Sequence, residues 1–395
     1  MSASEVVGAL SIMLLIGILI SIISTKIKIP NMFLLILFGM IIAIPSFNYN
    51  LESQFPLIFV SSIALITLII IVFEGASDFT YKDFDDYSLD SIKLYVIFLF
   101  LCVVFLTPAV YYLFLQTSWY YALLFSIVMT ATAAEIVLIM FKVTPNRAAN
   151  ILKFESVIND IFTILLPVMI ITFMIGYQSS VSLNVATRAF FEQIIVGIGA
   201  GILGWLVLFK IFKLQIHESY IKNLAQISLI IFAMALYVFS ERFGGSGILA
   251  VTVFGLFIGN SYIKNLFNIE SYAPFFSNLF EILVFIFAGI IIKIPFTDIL
   301  FLLKGILLYV FFLFIRFIAV DVSFRETISK KEKYFMTLMI PKGIGTATLV
   351  LLIATYSLPG IETILNLMML FVLISVIIGT VAGRYTSYFL NQKNL

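Results

Sequence analysis

The sequence predicts an all-α polytopic membrane protein of about 13 transmembrane helices, two inverted six-helix repeats with broken helices in spans 5 and 12. Three observations carry that reading. Hydrophobic residues make up 62% of the 395-residue chain and charged residues 11%, with a mean hydropathy of +1.17, whereas soluble domains are about 25% charged. Apolar runs of spanning length recur along the whole chain, and roughly 30 residues per span plus loop divide it into about 13 crossings. Two of these runs are interrupted at their middle by polar or helix-breaking residues.

The first run, 6–25, is preceded by Glu5 and by no Lys or Arg, unlike a signal peptide, and reads as a retained anchor. Continuous runs follow at 31–46, 55–75 and 91–116. The fifth, 119–141, is interrupted by MTATAAE, and the sixth, 148–176, carries FESVIND, the densest polar cluster in any span. Runs 187–212, 220–241, 245–261, 273–293 and 298–321 are again continuous. The twelfth, 333–356, brings Pro341, Lys342, Gly343 and Gly345 to its middle as IPKGIGTAT, and 362–389 closes the series.

The whole chain, 1–395, reads as one integral membrane transporter domain. Spans 1–6 (about 6–176) form the first repeat, span 7 (about 187–212) a linker, and spans 8–13 (about 220–389) the second repeat. Both interruptions are then the fifth element of their repeat, and the odd offset of seven spans inverts one repeat against the other. Matched interruptions in inverted halves mark a midplane site built from half-helix ends. The plainer alternative is that Pro and Gly simply kink transmembrane helices. Seventeen of the 23 basic residues fall on the odd connections and the C-terminus, three on the even ones. That bias places the N-terminus outside and the C-terminus in the cytoplasm of a cell membrane.

Composition also excludes function classes. The one cysteine, Cys102, lies in an apolar run and the one histidine, His217, in a polar loop, so no disulfide framework or Cys/His metal cage is available. No span holds a histidine and no Gly-x-Ser-x-Gly elbow occurs, which argues against an intramembrane enzyme. A net charge of +2 spread over the loops offers no basic tract for nucleic acid. The 42 Phe residues are read as packing and lipid contact.

An ionisable group in hydrocarbon costs about 3 kcal/mol on insertion scales, so each must be paired, hydrated or used. The chain has few: Glu74, Glu135, Glu155, Asp160, Glu281, Arg316 and Lys342, with Asp321 and Glu241 at span ends where water reaches them. On span six Glu155 shares a face with Asn159, and Ser156 with Asp160, four residues apart in each case. Asp160 sits about 18 Å along its helix, near mid-membrane. Its carboxylate, the Ser156 hydroxyl and carbonyls freed by the TATAA break are hard oxygen ligands suited to an alkali cation. The same carboxylate, desolvated, holds a proton when no cation is present. One group with two exclusive occupants is the chemistry of antiport. The alternative is a structural Asp160–Lys342 pair. Glu155 and Arg316, both near cytoplasmic helix ends, read as a structural pair.

FESVIND resembles the Glu-Ser-x-x-Asn-Asp signature of the NhaP-type sodium/proton antiporters of the monovalent cation/proton antiporter 1 family, and FEGASDF resembles their Phe-Glu-Gly segment. The resemblance spans essentially the whole chain. It implies Asp160 as the cation and proton carboxylate, Asn159 as its helix-break neighbour, and Ser156 and Glu74 as further oxygens around Na⁺. It implies Glu155 with Arg316 as a stabilising pair, Lys342 as the basic residue of the twelfth-span break, a homodimer, and movement of spans 4–6 and 11–13 against the rest. One departure stands out: the family carries Thr-Asp-Pro at the fifth-span break, where this chain reads Thr130-Ala131-Thr132-Ala133-Ala134. The Asp position falls on Ala131 or Ala133, so either Glu135 substitutes from the next turn or the Thr130 and Thr132 hydroxyls serve.

The function expected is electroneutral one-for-one exchange of Na⁺ or Li⁺ for H⁺ by alternating access, with no cofactor, in contact with membrane lipid. A K⁺/H⁺ antiporter or other carrier on the same fold is the first alternative and a cation channel the second.

Overall fold

The computed structural model describes residues 3–43, 55–78, 86–114, 117–133, 138, 140, 141, 143, 146–178, 183–215, 219–261, 269–325, 327–356 and 358–390. Among them no β-strand occurs. With no water in a bilayer core to satisfy backbone N–H and C=O groups, a chain this apolar must bond them within helices. Six described helices are long and apolar enough to cross a membrane: Ser4–Ile27, Leu57–Asp78, Tyr87–Leu113, Arg188–Lys210, Ile299–Ser323 and Glu362–Arg384. Shorter apolar helices accompany them.

The chain divides into two compact units. The first comprises Met1–Ala64, Asp85–Asn159 and Phe280–Leu395. Here α1 (Ala3–Ile27) turns tightly into α2 (Asn31–Ile42). Gly39 of α2 meets Gly289 of α11 (Ile269–Ile291) so closely that a Cβ on Gly39 would lie 2.3 Å from the Ile286 carbonyl oxygen. Small residues are what let transmembrane helix backbones approach in this way. Helix α4 (Asp86–Leu101) widens into a π-helical turn at Cys102–Leu106 before α5 (Thr107–Leu113). The widening precedes Pro108, whose ring would clash with the carbonyl four residues back in a regular helix, and the Thr107 N–H reaches Cys102 O instead.

The same unit holds α6 (Trp119–Val128), α12 (Ile299–Ser323), α13 (Lys330–Leu338), α14 (Ile344–Thr355), α15 (Glu362–Arg384) and α16 (Thr386–Leu390). Its core is aromatic. Phe312 lies 5.5 Å from Phe98 and 5.7 Å from Phe371, ring centre to ring centre. Helix ends are capped as their sequences suggest: Ser118 caps α6, Asp298 caps α12, and Ser329 with Glu332 forms a capping box on α13. Asp321, which the sequence left to hydration, pairs with Lys333 at 2.8 Å.

The second unit comprises Leu65–Phe84 and Asp160–Leu279. In it α8 (Leu183–Gln215), α9 (Ser219–Arg242) and α10 (Gly247–Gly259) pack together, and the C-terminal half of α3 (Leu57–Asp78) joins them. Phe73 stacks on Phe254 at 5.6 Å, and a Cβ on Gly259 would lie 2.1 Å from Ser77 O. Glu241, at the end of α9, accepts the Gly247 N–H at 2.8 Å. Helix α7 (Arg147–Gln178) is continuous from one unit's residues into the other's.

Candidate functional site: a crossing of two interrupted helices

Both sequence interruptions are breaks in helical structure. Helix α6 ends at Val128, Met129 caps it, and residues 131–133 have no regular secondary structure. Helix α13 ends at Leu338, and α14 starts at Ile344 after a non-helical stretch that includes Pro341 and Lys342. Pro341 has no N–H to give a helix, and Gly343 follows at once. The two breaks meet, because the Ala133 N–H donates to Pro341 O at 2.8 Å. A Cβ on Gly343 would lie 2.6 Å from the Ala133 methyl carbon, and one on Gly379 of α15 would lie 3.2 Å from the Pro341 ring. Only small residues fit that crossing.

Lys342 organises it. Its side chain is fully buried, and its ammonium donates to Met129 O at 2.6 Å and Ala131 O at 2.7 Å. Met129 caps the C-terminal end of α6, where the helix dipole is negative, and Ala131 follows two residues on. The third side of the ammonium faces the Phe312 ring, 4.7 Å from its centre. Its backbone N–H donates to Ser375 Oγ of α15 at 3.1 Å. The Asp160–Lys342 pair weighed from the sequence falls on a side chain outside the described residues; among the described residues Lys342 meets two main-chain carbonyls and a ring. Gly343 is the N-cap of α14 and provides no side-chain cap, so the first N–H groups of the helix, at the positive end of its dipole, adjoin the break.

The threonines of the fifth-span break differ in role. Thr130 Oγ donates to Ile127 O at 2.7 Å and is spent within the last turn of α6. Thr132 Oγ accepts a bond of 2.5 Å from the Asn159 amide of α7, and both residues are fully buried. Ala131 and Ala133 lend their main chain: the Ala131 carbonyl goes to Lys342 and the Ala133 amide to Pro341. Ser156 is buried one turn before Asp160 on α7. The Asp160 backbone is helical, and its side chain lies outside the described residues, as does Glu135 altogether. Glu74 is half-buried in the second unit, near the C-terminal end of α3.

Glu155 and Arg316 meet across 161 residues of sequence in a two-pronged pair of 2.5 and 2.6 Å, both side chains fully buried. The Arg316 guanidinium also stands 4.7 Å over the Phe98 ring. Arg316, Phe98, Phe312 and Lys342 therefore form a relay in which two cations flank two adjoining rings. Sequence reasoning missed Ser375, Phe312 and Phe98. Ser375 carried the one legible signal, a lone hydroxyl in the apolar stretch FVLISVIIG.

The family model for the transmembrane sodium/hydrogen exchanger matches residues 10–386. The chain belongs to the sodium/hydrogen exchanger family. Members of this family are transporters and not enzymes, and they work without a cofactor, the ions being substrates. Among curated relatives, K(+)/H(+) antiporter NhaP2 of Shewanella sp. (strain ANA-3) is 26% identical over 274 residues, 67% of this chain and 47% of that protein. NhaP2 of Shewanella baltica (strain OS223) is 26% identical over 273 residues. The chain thus spans about half the length of the curated relatives it matches. The solved structure of the sodium proton antiporter MjNhaP1 from Methanocaldococcus jannaschii at pH 8 superposes with a TM-score of 0.78 at 23% identity, over 99% of this chain and 100% of that one. An electron-microscopy structure of the same antiporter gives 0.72 at 22% identity, over 98% and 97%. The chain therefore has the antiporter's fold.

Proposed function

We propose that the protein is a membrane antiporter that exchanges a monovalent cation for H⁺, with Asp160 as the group that holds one or the other. The single observation that carries this reading is the crossing at Lys342. Two helices that break within the apolar layer, at corresponding places in the chain, are costly unless their freed backbone groups serve a ligand. The bond from Asn159 to Thr132 ties the start of the Asn159–Asp160 dipeptide to one of the breaks. In this reading Asp160 and Ser156 supply side-chain oxygens, Glu74 is a further oxygen, and Thr132 orients Asn159. Lys342 is a fixed positive charge, and Glu155 with Arg316 holds α7 to α12.

The chain crosses the membrane 13 times in two inverted repeats, with its N-terminus outside and its C-terminus in the cytoplasm, and works as a homodimer by alternating access. Asn159 has no titrating group, so one exchangeable charge per cycle makes the exchange electroneutral. Na⁺ is the first cation, in line with the structural likeness to a sodium proton antiporter. K⁺ is the second reading, favoured by relatives named as K⁺/H⁺ antiporters.

The test is proton flux in proteoliposomes driven by Na⁺, Li⁺ or K⁺ gradients, with Asp160→Asn alongside. That variant keeps the shape and removes titration, so it should fold and abolish exchange. Exchange at the wild-type rate in Asp160→Asn overturns the assignment, and saturable current without proton flux turns it into a channel.

A further inference from the structure

At the end of the first unit away from the α12 cap, between the α1–α2 turn and the last turns of α15, lies a cleft of about 330 Å³. Its floor is apolar: Ile29 and Phe33 on one side, and Val376, Ile377 and Val381 on the other. Along α15 the lining runs from Val376 to Arg384 and Tyr385, about 13 Å of helix. The apolar part is continuous with the exposed side chains of Ile377 and Val381.

Exposed Arg384 and Tyr385 line the mouth, and Lys26 and Lys28, also exposed, precede the lining residue Ile29 by three residues and one. Among the described residues no carboxylate pairs with Arg384, Lys26 or Lys28, and none lines the cleft. Lys28 also holds a conformation that suits it badly. Its φ of 54° is left-handed, the position after α1 at which glycine avoids crowding by a Cβ. The turn is closed by the Ile29 N–H on Ser24 O at 3.2 Å and by Ser24 Oγ on Ile29 O at 2.6 Å. A cation therefore stands where the backbone alone would favour glycine, beside the residue that enters the cleft.

We propose that this cleft binds an anionic phospholipid, with its phosphate between Arg384, Lys28 and Lys26 and one acyl chain along Phe33, Ile377 and Val381. The occupant follows from the two halves of the site. An apolar trough open at the helix surface takes a hydrocarbon chain, and unpaired cations at its mouth take the charge that a phosphodiester carries. A tyrosine beside the cations suits the headgroup level of a bilayer. Assignment to the cytoplasmic leaflet rests on the orientation proposed above; the site itself does not.

The experiment reads lipid binding and not transport, so its failure is distinct from a failure of the antiport reading. Purified full-length protein in detergent is titrated with dioleoyl phosphatidylglycerol or dioleoyl phosphatidylcholine, and bound lipid is counted by native mass spectrometry. Wild type should prefer phosphatidylglycerol. Arg384→Gln should weaken that lipid about fivefold, one basic side chain's share at an anionic surface, and leave phosphatidylcholine unchanged. Lys28→Gly should weaken phosphatidylglycerol similarly while raising the thermal midpoint of the lipid-free protein, which separates loss of a ligand group from loss of fold. Ile377→Asn should weaken phosphatidylglycerol without altering the salt dependence of its binding. Lys153→Gln, at an exposed cation on α7 that does not line the cleft, should bind as wild type does. Equal affinity for the two lipids in wild type, wild-type affinity in Arg384→Gln, or an equal loss in Lys153→Gln would each overturn the proposal.

Discussion

Replacing one member of the Glu155–Arg316 pair should cost far more than replacing both. The two contacts are 2.5 and 2.6 Å, and neither side chain reaches the surface. Glu155→Leu leaves the guanidinium buried with no counter-charge, and Arg316→Met leaves the carboxylate so. Breaking a buried pair from one side costs about 3–5 kcal/mol, whereas exchanging a whole pair for apolar groups of similar volume is about neutral. Arg316→Met should fall at the upper end, because it also removes the cation 4.7 Å over Phe98, worth about 0.5–2 kcal/mol. At about 2.1 cal/mol/K per residue, each single replacement lowers the thermal midpoint of this chain by roughly 4–6 °C. The double variant Glu155→Leu/Arg316→Met should melt close to wild type. The assay is thermal unfolding of the detergent-solubilised protein at one scan rate, since unfolding of such proteins is irreversible and the midpoint depends on rate. Additive losses in the double variant would refute the argument, because they would mean that the two charges stabilise the fold independently.

Three further outcomes follow from the crossing. Gly343→Ala places a carbon 2.6 Å from the Ala133 methyl and should cost about 1–3 kcal/mol by overpacking, with Ala133→Gly restoring most of it in the same melting assay. A neutral Gly343→Ala would show that the two breaks are not in contact. Lys342→Met strips the donor from two buried carbonyls, Met129 O and Ala131 O, and should destabilise by about 1–3 kcal/mol for each; an unchanged midpoint would mean that water reaches them. Because Asn159 donates to Thr132 and cannot titrate, cation addition should raise no steady current on a solid-supported membrane, whereas Asn159→Asp should create one. A steady wild-type current would reveal a second titrating group.

Much of this protein is legible in its amino-acid order because the bilayer imposes a severe rule on composition. Apolar runs must be helices, so the all-helical class follows from hydropathy alone. The breaks were legible for the same reason: Pro341, Gly343 and the TATAA segment are poor helix formers set where a helix was due. Burial forces charges to find partners, and with so few in the spans Glu155 and Arg316 were visible as a pair. The partners of Lys342 were not. They are main-chain carbonyls, which every residue carries, so no residue type could mark Met129 and Ala131 out. Nor could the sequence alone say why alanines stand at the fifth-span break. In the fold their small size lets Gly343 and Pro341 cross against them, and their backbone groups are already bonded across the crossing. Amino-acid order determined which segments would be helical and which would break. Which backbone groups those breaks bring within 3 Å of one another was decided by tertiary packing, because hydrogen bonds between distant segments depend on where the segments lie and not on what their side chains are.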